Sequence, residues 1–305
     1  MREGLFIIGR GVGQVMFQNN AVSGLLMLVG IACNSWLLAL FALLGNFVGT
    51  LTAFFSGYSK EDIEDGLYGF NGTLVGIAVG IFMETGIASL LLLVAGSVLS
   101  TWIARMFGYQ KLLPGFTAPF ILTVWLLLAL CRWWFPSLLL PSVMSEETTF
   151  DLFQAFSLNI GQVMFQGGTV LSGLFFLAGI LLNSRIHALY TVWGALLPLG
   201  MVWMVGSDYA AFNAGLFGYN AVLCAIALGD RSWAGAAWAT LSVVISVLLQ
   251  VWGMSLGMTT LTAPFVVSVW IVLGMRRALC RGSAVLKRIK IRGRLFISRE
   301  SSLSF

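Results

Sequence analysis

Apolar residues along this 305-residue chain fall into two series of six runs, separated by short polar or glycine-bearing breaks. The first series covers residues 5–20, 22–33, 36–56, 66–83, 86–107 and 117–135. The second covers 153–166, 169–182, 187–205, 211–229, 232–253 and 262–280. A helix needs ~20 residues to cross about 30 Å of hydrocarbon, so several runs are too short to cross alone, and at least one per series is expected to be re-entrant or broken. The run opening GLYGFNGTLVG at 66, with its counterpart GLFGYNAVLCA at 215, is the candidate. Glycines around a central asparagine predict a backbone turn there. Non-helical backbone at membrane depth is tolerated only against protein or a water-filled cavity, so this motif is expected to line a path. The alternative is a small-residue contact between ordinary packed helices.

The two series also repeat in detail. GQVMFQ at 13–18 returns at 161–166, GLYGFN at 66–71 returns as GLFGYN at 215–220, and TAPF at 117–120 returns at 262–265. Three motifs in one order indicate a duplicated unit, with residues 1–135 as the first half, 136–152 as a connector and 153–280 as the second half. If five of the six runs in each half span, the second half starts from the opposite side and an inverted repeat results, with both termini on one side. The expected fold class is therefore an all-α integral membrane protein of two inverted repeats forming one domain, with the path between them.

Composition agrees with this class. The chain is 59% hydrophobic and 10% charged, with a mean hydropathy of +0.94, against about 25% charged for soluble domains. Nine of the 17 Lys and Arg lie between Arg276 and Arg299, so the net charge of +5 belongs to one tail, 281–305 and the residues just before it. By the positive-inside rule this places the C-terminus, and with it the N-terminus, in the cytoplasm. Directly after a span, the expected contact of such a tail is the anionic lipid surface and not nucleic acid. The connector acids Glu146, Glu147 and Asp151 suit the opposite face. MREGLFIIGR has too short an apolar stretch for a secretory signal, so no removed leader is expected.

The interior offers little charge. Arg105, Arg132, Arg185 and Arg231 fall near run ends, where side chains reach the interface, and Asp208, which precedes a run, reads equally well as a helix cap. Cys33, Cys131, Cys224 and Cys280 stand singly and read as packing residues. His187, the only histidine, adjoins Asn183 and Arg185 at an expected loop, where a solvated or interfacial role is expected over a functional one. Metal and Ser-His-Asp chemistry lack their residues, so no cofactor and no enzyme activity are expected. What recurs in both halves is neutral: Gln14 and Gln162, Phe17 and Phe165, Phe70 and Tyr219, Thr117 and Thr262. Amides, hydroxyls and flat rings suit a small, uncharged, planar solute whose N–H groups need replacement acceptors once water is shed. Proline in the first helical turn lets each TAPF open a helix, with its threonine at the start. A proton- or sodium-coupled carrier of a small amide or polyol is the alternative, since broken helices also build secondary transporters. It needs a central acid, and none is evident. A non-transporting scaffold, in which these positions only pack, is the third class.

At RGVGQVMFQNN, DGLYGFNGTLVGIA and FTAPFILTVW the sequence resembles the first repeat of the urea transporter family, and the likeness extends over almost the entire chain. The resemblance implies two inverted repeats, each with five spanning helices and a re-entrant pore helix, and a homotrimer with one pore per subunit. It also implies facilitated diffusion of urea without ion coupling, in the inner membrane for a bacterial member. Carried over by motif, Gln14 and Gln162 stand near the pore, with Val163 beside the second. Phe17 and Phe165, then Phe70 and Tyr219, wall a flat slot; Leu74 and Leu223 narrow its middle; Thr117 and Thr262 hydrogen-bond the solute there. The chain departs from the family pattern at Ala21, where proline is frequent, at Tyr219, which adds a hydroxyl, and in FQGGTVLSG, one residue longer than FQNNAVSG.

Overall fold

The computed structural model describes residues 2–109, 113–141, 149–205 and 208–280. Glu146, Glu147 and the tail at 281–305 lie outside the described residues. Among those described the fold is all-helical, apart from one isolated bridge between Met83 and Leu139. The first half holds α1 (Arg2–Gln14), α2 (Ala21–Asn34), α3 (Trp36–Phe55), α4 (Lys60–Glu64), α5 (Gly69–Phe82), α6 (Ile87–Tyr109) and α7 (Ala118–Trp134). The second holds α8 (Leu152–Gly161), α9 (Val170–Asn183), α10 (Arg185–Val205), α11 (Tyr209–Asn213), α12 (Tyr219–Leu228) and α13 (Trp233–Ser255), then α14 (Ala263–Cys280). Their lengths run 13, 14, 20, 5, 14, 23 and 17 residues in the first half. The second gives 10, 14, 21, 5, 10, 23 and 18.

Helices α3, α6, α10, α13 and α14 are long and apolar enough to cross a membrane, while α2, α5, α7, α9 and α12 are apolar but shorter. Large apolar side chains face outward, among them Trp36 at the start of α3, Ile87 at the start of α6, Trp133 near the end of α7 and Trp233 at 93% exposure. Apolar surface on this scale calls for lipid as its solvent, and tryptophans near helix ends match the aromatic belts of membrane interfaces. The chain is an integral membrane protein.

Glycine lets the backbones approach. A Cβ at Gly45 would overlap the Gly72 carbonyl, and one at Gly72 would overlap the Gly45 carbonyl, so α3 and α5 meet main chain to main chain. The expected break in GLYGFN is present. Gly66 and Gly215 adopt left-handed φ of 75° and 71°, turning the chain between the short α4 and α5, and between α11 and α12. The halves are stitched by α2 against α9, where Ser172 Oγ donates to the Gly30 carbonyl at 2.8 Å.

Some single-residue expectations change. His187 is not in a solvated loop: it lies in the first turn of α10, half-buried, with Nδ1 accepting from Gln18 Nε2 at 3.1 Å. Its backbone is held within the helix start, the N–H donating to Ser184 Oγ at 3.2 Å and the carbonyl accepting from Thr191 Oγ1 at 2.8 Å. Cys131 and Cys224 are buried but Cys33 and Cys280 are exposed. Arg105 packs its guanidinium over the rings of Tyr58 and Tyr109, at 4.9 and 4.4 Å. Asp208 caps α11 as expected, accepting from Ala210 N–H at 3.0 Å.

In the loop before α13, Asp230 accepts from the Ser232 hydroxyl and N–H at 2.6 and 2.7 Å. These bonds, then the Arg276 charge, hold its carboxyl below the usual carboxylate range. A folded-state pKa lower than the unfolded one stabilises above the unfolded value, and the contribution disappears as pH falls through the folded value. The difference in thermal midpoint between wild type and Asp230→Asn is therefore expected to shrink from neutrality to about pH 3, as a detergent melting series will record.

Candidate functional site

The site centres on two hydroxyls. Thr117 immediately precedes α7 and Thr262 immediately precedes α14, and their Oγ1 atoms hydrogen-bond to one another at 2.7 Å. Both are buried, at 3% and 1% exposure. The residues before them, Phe116 and Leu261, hold φ of 45° and 49°. Left-handed backbone at a non-glycine residue costs of order 1–3 kcal/mol and persists only where its surroundings fix it. Here it aims the two chain turns at each other.

A second strained pair flanks the first. Phe17 and Phe165 have φ of 61° and 62°, each just beyond a helical segment that closes with paired bonds. Phe17 N–H donates to the Gln14 carbonyl and Gln18 N–H to that of Gly13, both at 3.0 Å; Phe165 and Gln166 do the same to Gln162 and Gly161 at 3.0 and 3.1 Å. This end geometry normally takes glycine, so an aromatic ring at the position is bought with strain. Each ring packs on a TAPF phenylalanine from the other half: Phe17 lies 6.0 Å from Phe265 and Phe165 lies 6.0 Å from Phe120. Phe116 joins the first cluster, 5.9 Å from Phe17, and Phe82 joins the second, 6.0 Å from Phe165.

The amides are anchored in matched fashion. Gln14 Nε2 donates to the Asp65 carbonyl at 2.8 Å and Gln162 Nε2 to that of Ala214 at 3.0 Å. Each glutamine is thus tied to the turn opening GLYGFN or GLFGYN, and its amide oxygen makes no hydrogen bond among the described residues. Farther out, Gln18 Oε1 accepts from Asn183 Nδ2 and Gln166 Oε1 from Asn34 Nδ2, both at 2.9 Å. These bonds buckle α9 to the first half and α2 to the second. Trp125 Nε1 and Trp270 Nε1 cross likewise, to the carbonyls of Thr259 and Pro114 at 2.8 and 2.9 Å.

Leu74, Leu223 and Val163 are fully buried. Phe70 is half-buried, and Tyr219 is buried with its hydroxyl donating to the Leu261 carbonyl at 2.7 Å, beside Thr260 and Gln250. Among the described residues neither Phe70 nor Tyr219 makes a ring–ring contact. The structure thus brings Thr117, Thr262, Phe17 and Phe165 together with Phe120 and Phe265. It aims the Tyr219 hydroxyl at backbone. Sequence reasoning did not single out Phe82, Phe116, Phe120, Phe265, Gln18 or Gln166, and read Asn71 and Asn220 only as marks of the expected turn. For six of these the signal was present: they are the final residues of the three repeated motifs.

Everything that makes polar contact in this centre is neutral, and it is closed by the threonine pair. Two lateral grooves of about 440 and 480 Å³ run along α3 with α6 and along α10 with α13, away from this centre. Among the described residues, then, matched left-handed turns surround a buried centre whose polar contacts are all neutral.

The comparisons identify its kin. The profile of the urea transporter family matches residues 5–277, and the chain belongs to that family. Urea transporter 1 of Rattus norvegicus is 31% identical over 237 residues, which cover 72% of this chain and 61% of that protein. Urea transporter 1 of Capra hircus is 31% identical over 245 residues with the same coverage, and that of Mus musculus 30% identical over 241 residues. The chain thus spans about three fifths of the length of these curated relatives, 61% of each.

Proposed function

We propose that this protein is a urea-selective channel, passing urea passively down its gradient through a narrow path between its two halves. Family membership and the names of the relatives supply the solute. The observation that carries the mechanism is the buried Thr117–Thr262 pair, 2.7 Å apart, at a centre without charge. An entering molecule sheds water at the Gln14 and Gln162 amides, slides flat past Phe17, Phe165, Phe70 and Tyr219, and passes Leu74, Val163 and Leu223 where the path is tightest. There it must part the threonines. Its N–H groups and carbonyl exchange for the hydroxyl–hydroxyl bond, so that no polar group is left bare, which would cost about 1–3 kcal/mol. Among the described residues, no carboxylate, histidine, lysine or arginine side chain takes part in the step, so the usual carrier of a coupled proton is missing from it.

In this reading residues 1–135 and 153–280 form inverted repeats of one domain, supported by the two matching series of helix lengths and hydrogen bonds. The short α5 and α12, each following a left-handed glycine, are the re-entrant helices. The chain assembles as a homotrimer with one path per subunit, in a bacterial inner membrane with both termini cytoplasmic, the basic tail resting on lipid.

Purified protein in liposomes is expected to equilibrate urea far faster than protein-free liposomes under an osmotic jump, read by stopped-flow light scattering. Equal rates would reject the proposal.

A further inference from the structure

Each threonine of the central pair occupies the position where its side chain ordinarily caps a helix. An N-cap threonine accepts the backbone N–H two or three residues on. In both TAPF segments the residue two on is proline, Pro119 or Pro264, which has no N–H. Only one donor is left to cap, the N–H of Phe120 in α7 or of Phe265 in α14. In neither helix does the threonine take it. Phe120 N–H donates to Asn71 Oδ1 at 3.1 Å, Phe265 N–H donates to Asn220 Oδ1 at 3.0 Å, and Thr117 makes no side-chain cap.

We infer that Asn71 and Asn220 are positioning residues, each capping the helix in place of its threonine so that Thr117 and Thr262 keep their hydroxyls free for each other and for the solute. The inference deepens the channel reading and rests on it for the solute alone. Both asparagines are almost wholly buried, at 1% and 0% exposure. They reach the helix starts from α5 and α12, so the turns that open those helices also fix the central hydroxyls. Without the asparagine, a buried N–H stands bare within the turn that its threonine opens. The threonine then turns to its own helix, and the pair is lost.

The two asparagines differ on their other side. Asn220 Nδ2 donates to Gln250 Oε1 at 3.1 Å and to the Leu261 carbonyl at 3.2 Å, whereas Asn71 Nδ2 has no partner among the described residues. Removing Asn71 therefore bares only the Phe120 N–H, and Asn71→Ala is the cleaner variant.

The test is the structure of Asn71→Ala at a resolution that places side chains, joined to a flux cycle with Thr117→Val. Thr117 Oγ1 within hydrogen-bond distance of Phe120 N, with the bond to Thr262 gone, is expected; an unchanged threonine pair overturns the inference whether or not urea is carried. In flux, Asn71→Ala is expected to fall about tenfold and the double variant no further than Thr117→Val alone. Losses that multiply in the double variant overturn the inference, since they show Asn71 acting other than through Thr117. Should Asn71→Ala fail to fold, Thr117→Val together with Thr262→Val decides, since both partners of the pair then leave and neither is stranded: a thermal midpoint within about 4 °C of wild type supports capping by asparagine, and a larger fall overturns it. Absence of urea flux in wild type rejects the channel reading and leaves the structural and thermal arms to judge the capping.

Discussion

Thr117→Val together with Thr262→Val is expected to lower urea flux by at least one to two orders of magnitude while the protein stays folded. The reasoning starts from desolvation. A solute that has shed water at the tightest point leaves an N–H or carbonyl bare wherever a hydroxyl becomes a methyl, at about 1–3 kcal/mol for each group. About 1.4 kcal/mol is tenfold, and two hydroxyls are removed. The fold loses much less. The deleted bond is one hydroxyl pair at 2.7 Å, worth about 1 kcal/mol net, and both partners leave together, so neither is stranded. Stopped-flow rates on protein that remains monodisperse in detergent will check both halves of this expectation. Flux within twofold of wild type would remove the threonines from the path.

The second large effect falls on assembly. Gly72→Val is expected to yield no correctly folded protein. The valine would drive two branched methyl groups into the Gly45 carbonyl and the main chain of α3, where even a single Cβ has no room. Backbone at such a contact is not a flexible side chain that can swing aside, and overpacking of this kind costs 1–3 kcal/mol or more. Helix α5 carries Asn71 and Leu74 to the centre, so a displaced α5 also withdraws both from it. Fluorescence-detected size exclusion of the tagged variant is expected to show aggregate where wild type gives one peak; a wild-type profile with wild-type flux would show that the contact can relax.

The scaffold was readable because glycine and proline leave plain marks. GLYGFN and GLFGYN announced a turn, and Gly66 and Gly215 make it; TAPF announced helix starts, and α7 and α14 open there. Short runs at 66–83 and 211–229 became helices of 14 and 10 residues, because left-handed glycines take up the rest. The extra residue in FQGGTVLSG lies between Gln166 and the Thr169 cap of α9, where Asn20 caps α2 in the first half.

What stayed hidden depends on contacts between distant segments. Asn71 meets Phe120 across 49 positions, and no local spacing connects them. Phe82 and Phe116 belong to no repeated motif, so nothing set them apart from other apolar residues until the fold laid them against Phe165 and Phe17. His187 looked like a loop residue for its polar neighbours Asn183 and Arg185. Asn183 instead reaches Gln18 across 165 positions, and the half-buried histidine meets the same glutamine from the first turn of α10.

The proposed path is uncoupled, and the equilibrium distribution of labelled urea across proteoliposomes is the sharpest measure of that. With a proton or sodium gradient imposed in either direction, urea is expected to reach equal concentrations inside and outside, rapidly and to the same end point. Accumulation that follows either gradient would contradict it.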